Sequence, residues 1–321
     1  MHFLGHFDGD PRANQERWER SSANPVIPYG AEWCREFIAP SSLLVEDGEV
    51  TLYVEGGSSD RENFGRYSTS TDAVLSRSWE ADPANPVLEP SEDGFDRGSV
   101  FDPYAIRVGP DLRIYYSATS GGAHEFAEHT SGAGHEAPVR EFIGMARWTG
   151  SAFERHPTSV LEGRCPCVLE REGTLYLFYV KVVRGGYRIF AASSADGSNF
   201  EPVSDAPVLD IGTAGAWDSF TVTTPKVFED DDRFVMLYAG DDQQIDDPTG
   251  IGIAVSDDLL HWERHPGNPV FVPGPSGGFD SVSVASTVPF LLKGRWHIVY
   301  AGGDQLVADG LRSQVGIATL T

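Results

Sequence analysis

Five copies of one hairpin, recurring at intervals of about sixty residues, limit what this chain can fold into more than any other feature. The segments APSSLLVEDGEVTLYVEG from Ala39, DPYAIRVGPDLRIYYSA from Asp102, CPCVLEREGTLYLFYV from Cys165, TPKVFEDDDRFVMLYAG from Thr224 and STVPFLLKGRWHIVYAGG from Ser286 align without gaps. Each reads as an apolar strand, a polar turn containing Gly or Asp, and a second strand ending in Tyr. The anchors Pro40, Pro103, Pro166, Pro225 and Thr287 stand thirteen residues before Tyr53, Tyr116, Tyr179, Tyr238 and Tyr300, at separations of 63, 63, 59 and 62 residues.

A second pattern keeps the same period. An aromatic residue followed by Glu, with Pro-Val or a similar pair seven and eight residues on, occurs at Trp18, Trp79, Phe153, Phe200 and Trp262. Short small-residue strands such as IGMARW and IGIAVSDD lie between the two patterns. Hairpin, strand and outer strand, five times over, predict an all-β chain: a five-bladed β-propeller of four-stranded antiparallel blades, occupying residues 1–321 as one domain. The N-terminal copy of the second pattern precedes the first hairpin, and the last hairpin is followed by one strand only. Residues near 15–28 are therefore expected to supply the outer strand of the final blade, closing the ring and removing a sheet edge.

Charge narrows the partners. With 48 Asp and Glu against 24 Lys and Arg, the net charge is -24, and only Lys181, Lys226 and Lys293 are lysines. Such a surface repels phosphate backbones and anionic lipid, which argues against nucleic-acid and membrane binding. Carboxylate excess with few lysines suits a salt-rich, halophilic interior. Three cysteines and a start, MHFLGHFDGD, without the features of a secretory leader lead to the expectation of a reducing, cytoplasmic location. Oligomeric state is left open.

In such a ring, the loop entering each innermost strand and the loop after its second strand emerge on one face. That face collects the long, polar segments, including the blade-two insert SGGAHEFAEHTSGAGHEAPV, which reads as a lid, and so marks the expected site. Repeat register singles out residues within it. Seven before the anchor stand Trp33, Asp96, Ser159, Asp218 and Asp280, where the repeated aromatic-Asp pair reads first as a loop brace. One before stand Ala39, Asp102, Cys165, Thr224 and Ser286, so Asp102 is the sole acid at that register. One after, Tyr104 is the sole tyrosine and Lys226 the sole cation. Glu36, Asp102 and Glu162 place three carboxylates at the inner-strand starts of consecutive blades. Glycosidic cleavage requires that equipment: one acid to protonate the leaving oxygen and one carboxylate to activate water or attack. Arg35, Arg164, Trp33, Trp217, Asp218, Asp280, Tyr104 and Lys226 are the candidate substrate contacts. No protein-held catalytic metal or cofactor is called for, although the central channel leaves room for a structural cation.

Through the NPV segments, the [FW]D-S...P spacing and the LYAG or VYAG strand ends, nearly the whole chain resembles the five-bladed propeller glycosidases, the superfamily of glycoside hydrolase families 32, 43, 62, 68 and 130. The resemblance implies acids on blades one to three: Asp102-Pro103 meets the second-blade pattern, Glu162 meets the third loosely, and Ala39 stands where the first-blade pattern has Asp, with Glu36 nearby. The five repeats and the carboxylate trio on one mouth lead to the expectation of a glycoside hydrolase acting on a small or branched oligosaccharide, with Asp102 the most secure acid, Glu162 as general acid and Glu36 as base or nucleophile. A family 130-like phosphorylase and a carbohydrate-binding propeller without activity are the alternatives.

Overall fold

The computed structural model describes residues 2–58, 61–121, 140–243, 248–307 and 310–321. The five hairpins form the inner halves of five antiparallel sheets arranged as a propeller. Blade one runs Phe37–Glu46, Glu49–Ser58, Arg61–Ser70 and Glu80–Ala81 from the axis outward. Blade two runs Ser99–Val108, Asp111–Thr119 and Glu141–Trp148, edged by Phe153–Arg155 and Leu161–Glu162. Blade three has Arg164–Arg171, Thr174–Val183, Gly186–Ser194 and Glu201–Pro202, and blade four has Thr221–Asp230, Arg233–Asp241, Gly250–Ser256 and Glu263–Arg264. In blade five, Ser283–Leu292, Arg295–Val307 and Gly310–Leu320 are completed by Trp18–Arg20, which pairs antiparallel with the final strand as Trp18↔Leu320 and Arg20↔Ala318. The expected ring closure is present. Among the described residues, no helix is long and apolar enough to cross a membrane.

The segment ahead of that strand is anchored as firmly as the strand itself. Phe3 is fully buried, with ring centroids of Phe7, Phe228 and Trp296 5.1 to 5.2 Å away. The backbone N–H groups of Phe3 and Leu4 donate to the Asp230 carboxylate at 2.7 and 2.9 Å. A short helix, Pro11–Glu16, is N-capped by Asp10 and carries buried Asn14, whose amide donates to the Gly267 carbonyl. These contacts join the chain start to blades four and five.

The aromatic-Asp pairs are braces, and the second pattern completes them. Asp96, Asp218 and Asp280 each accept from a tyrosine hydroxyl (Tyr116, Tyr238, Tyr300) at 2.8 to 3.0 Å and from an arginine (Arg155, Arg264, Arg20) at 2.6 to 3.0 Å. The arginine is the third residue of each WER or FER triplet. Blades one and three have Ala81 and Pro202 there instead, and they lack the acid as well: arginine and aspartate are kept or lost together.

Blade one is offset by one residue from the gapless alignment. Its Ser42 hydroxyl accepts the Ala105 N–H as the Cys167 sulfur accepts that of Val227, although Ser42 is two residues past its anchor and Cys167 one. Glu55 accepts the Asp102 N–H as Ser117 accepts that of Cys165, again one residue later in blade one. Cys34, rather than Trp33, therefore corresponds to Asp218, and Pro40, rather than Ala39, corresponds to Asp102. A local backbone cause is visible. Asp102, Cys165, Thr224 and Ser286 take φ of 49, 53, 46 and 45° where the inner-strand pairing breaks. Proline cannot adopt positive φ, so blade one places its break at Ser41 instead.

Candidate active site

The offset brings a residue missed by register counting into the mouth. Glu55, on the second strand of blade one, occupies the place that Ser117 holds in blade two. Its Oε2 accepts the Asp102 backbone N–H at 2.8 Å. Glu55 is part-buried and hemmed in by protein. Burial first, then the charges of Asp102 and Glu62, push its carboxyl well above the usual carboxylate range.

Asp102 is 6% exposed and is held by two other blade elements. Its Oδ2 accepts the Ser117 hydroxyl at 2.7 Å and the Cys165 thiol at 3.4 Å, and Arg164 Nε lies 3.6 Å away. Its Oδ1 has no hydrogen-bond partner among the described residues. Arg164 also approaches Glu141, 3.5 Å from Nη1 to Oε1, and the Tyr187 hydroxyl bridges the two, donating to Glu141 at 3.1 Å and accepting from Arg164 at 3.0 Å. The guanidinium lies over the rings of Phe101 and Tyr187, 4.9 and 5.3 Å from their centroids. Ala39, paired with Glu55, packs with Ala285 and Ala301 of blade five in a buried cluster. The polar groups thus converge from blades one to three.

The structure distributes the sequence candidates unevenly. Asp102 and Arg164 come together, and Lys226 meets Tyr104, its ammonium 5.8 Å from the ring centroid. Burial, then Cys167 beside it, pushes the Tyr104 hydroxyl upward, so this pair is a packed element beneath the mouth. Glu162 is placed elsewhere: its side chain is 54% exposed and paired with Arg140, because the strand Leu161–Glu162 sits on the outer edge of blade two. Glu36 is half-buried where blade one begins, its N–H bonded to the Gly57 carbonyl, and Arg35 is exposed. Asp218 and Asp280 are 1 and 2% exposed inside their braces, each accepting a tyrosine and an arginine donor on Oδ2. Trp217 stacks on Tyr238 at 5.6 Å and lies so close to Gly250 that a Cβ there would come within 2.9 Å of its ring; Trp33 covers Gly65 in the same way. Both indoles pack against blade glycines and are part-exposed. The insert histidines and most of the expected lid lie outside the described residues. Among the described residues, no group of three or more His, Cys, Asp or Glu is placed to hold a metal ion.

The shifted Glu55 proton gives a stability signature. The folded protein binds this proton more tightly than the unfolded chain does. The group therefore contributes stability at acid pH, and that contribution is lost as pH rises from the ordinary value of 4.5 through the raised one. Glu55→Gln keeps a neutral hydrogen-bonding group at every pH. Its unfolding temperature relative to wild type is expected to climb as the pH rises above the ordinary carboxyl value of 4.5. Parallel melting curves above that value would show that Glu55 holds no such proton.

No family model matches the chain. The chain spans about half the length of the curated relatives it matches, among them an uncharacterized protein of Mycobacterium tuberculosis (strain CDC 1551 / Oshkosh), 28% identical over 173 residues, 51% of this chain and 52% of the relative. In three dimensions the protein is similar to a glycoside hydrolase (TM-score 0.67, 13% identity, 90% of this chain and 89% of the other covered). It is likewise similar to a thermostable family-43 glycoside hydrolase (0.64, 16%, 91% of this chain and 92% of the other). A third similar structure is the β-1,2-mannobiose phosphorylase of Listeria innocua in complex with β-1,2-mannobiose (0.69, 15%, 95% and 96%). The fold is therefore the five-bladed propeller found in glycoside hydrolases and in a glycoside phosphorylase.

Proposed function

We propose that the protein hydrolyses a glycosidic bond in a small or branched oligosaccharide bound at the central mouth. The observation that carries this reading is the Glu55–Asp102 pair: two carboxyl side chains from neighbouring blades, one whose burial and acidic neighbours favour the protonated form, the other gripped on Oδ2, with no partner for Oδ1 among the described residues. Divergent environments assign the roles. Glu55 protonates the leaving oxygen. Asp102 presents its negative charge to the anomeric side, where positive charge develops in the transition state. Arg164, between Asp102 and Glu141, fixes both acids and balances part of their charge. Carbohydrate ligands on the same fold, such as the β-1,2-mannobiose held by the Listeria innocua phosphorylase, support the substrate class.

Hydrolysis is favoured over phosphorolysis by the charge of the mouth. The carboxylates of Asp102 and Glu141 share the single Arg164 guanidinium, so an entering phosphate meets net repulsion there whereas water does not. The test is product analysis: incubation with a panel of short oligosaccharides and 4-nitrophenyl glycosides, with and without inorganic phosphate. Free sugars released at a phosphate-independent rate are expected. Sugar phosphates formed only when phosphate is present would overturn the hydrolytic reading, and sugar-dependent thermal stabilisation without any cleavage would leave a binding protein.

A further inference from the structure

Ser117 is fully buried and reaches two blades with one hydroxyl: its Oγ donates to Asp102 Oδ2 at 2.7 Å and accepts the Cys165 N–H at 2.8 Å. By the pairing of each hairpin, the corresponding places in the other blades hold Glu55, Val180, Ala239 and Ala301. Three of those five places lack any side-chain acceptor, so the propeller does not need a hydroxyl here to hold its blades together. The hydroxyl occurs where the neighbouring strand carries Asp102.

A terminal carboxylate torsion is broad and left alone would sample many orientations. With Oδ2 approached by Ser117, the Cys165 thiol and Arg164, rotation is arrested and Oδ1 is the oxygen left for a ligand. We infer that Ser117 is a positioning residue for Asp102, setting the carboxylate so that Oδ1 meets the reacting carbon or its water. The inference rests on the reading of Asp102 as the reacting carboxylate. Ser117 touches no substrate in this scheme; it acts through Asp102 alone.

The experiment compares Ser117→Ala, Ser117→Thr and Ser117→Val with wild type, using a 4-nitrophenyl glycoside that the wild type cleaves. Ser117→Ala is expected to lower kcat by about 10- to 100-fold, because loss of orientation acts on the reacting geometry. KM stays within about threefold, since Asp102 is poised for the transition state rather than for ground-state binding. Ser117→Thr restores kcat, while Ser117→Val, nearly isosteric with threonine, does not, a contrast that holds even if the alanine variant folds poorly. Equal kcat in the threonine and valine variants, or a loss that falls on KM rather than on kcat, would overturn the inference. If Asp102→Asn is inactive while Ser117→Ala matches wild type, only the positioning role falls; if Asp102→Asn stays active, the reading of the site falls with it.

Discussion

Asp102→Asn is expected to lower turnover of any cleaved glycoside by about 10²- to 10⁴-fold, the range lost when a positioned catalytic carboxylate is removed. The amide keeps nearly the same shape and can still accept the Ser117 hydroxyl, so folding is preserved and the loss reports on charge. The effect should not depend on the leaving group, because the carboxylate acts on the anomeric side. Glu55→Gln should behave differently: a comparable loss on oligosaccharides, whose leaving oxygen needs a proton, and a much smaller one on 2,4-dinitrophenyl glycosides, whose leaving group needs none. Steady-state rates of the two variants on both substrate classes check this. Both variants within about threefold of wild type would remove the pair from the chemistry. Equal losses on both classes for Glu55→Gln would strip Glu55 of its role as acid.

The second large effect concerns the fold. Deleting residues 2–20 removes the outer strand of blade five together with Phe3, Phe7 and Trp18, which are 0, 9 and 6% exposed. Truncating one buried Phe or Trp costs about 3–5 kcal/mol, and whole domains are stable by only about 5–15 kcal/mol. The truncated chain is therefore expected to lose cooperative unfolding altogether, read by circular dichroism and calorimetry. The milder Trp18→Ala should remain folded with a melting temperature lower by on the order of ten degrees. A truncated chain that still melts as one transition near the wild-type temperature would show that the ring does not depend on its closure.

The architecture was legible because every blade repeats the same hairpin, and because the stray Trp18-Glu19-Arg20 at the chain start matched the outer strands elsewhere. Asp102 and Arg164 were legible too, as register-breaking residues on first strands. Glu55 was not. It sits on a second strand, in VEGG, where the other blades read YSAT, YVKV, YAGD and YAGG, and the same register comparison extended to those strands would have marked it as the sole acid. Its correspondence with Ser117 stayed hidden because Pro40 displaces the strand break by one residue, and a gapless alignment sets Glu55 against Ala118. Glu141 follows the blade-two insert, for which no other blade offers a counterpart. Cys165 reads as a small core residue, and only the three-dimensional path of the break turns its thiol onto Asp102. The braces carried their own sign: Arg and Asp vary together between blades, as they do in Ala81 with Cys34 and Pro202 with Ser159.

Closing the ring with the earliest strand has a consequence in time. On a ribosome the strand Trp18–Arg20 emerges well before its partner Gly310–Leu320 is made. At about 5–20 residues per second, that interval lasts on the order of 15 to 60 seconds. Throughout it the leading segment has no sheet edge to join, and the finished hairpins have an unsealed flank. Folding of this protein is thus a race between synthesis and unwanted pairing, decided when Gly310–Leu320 is made.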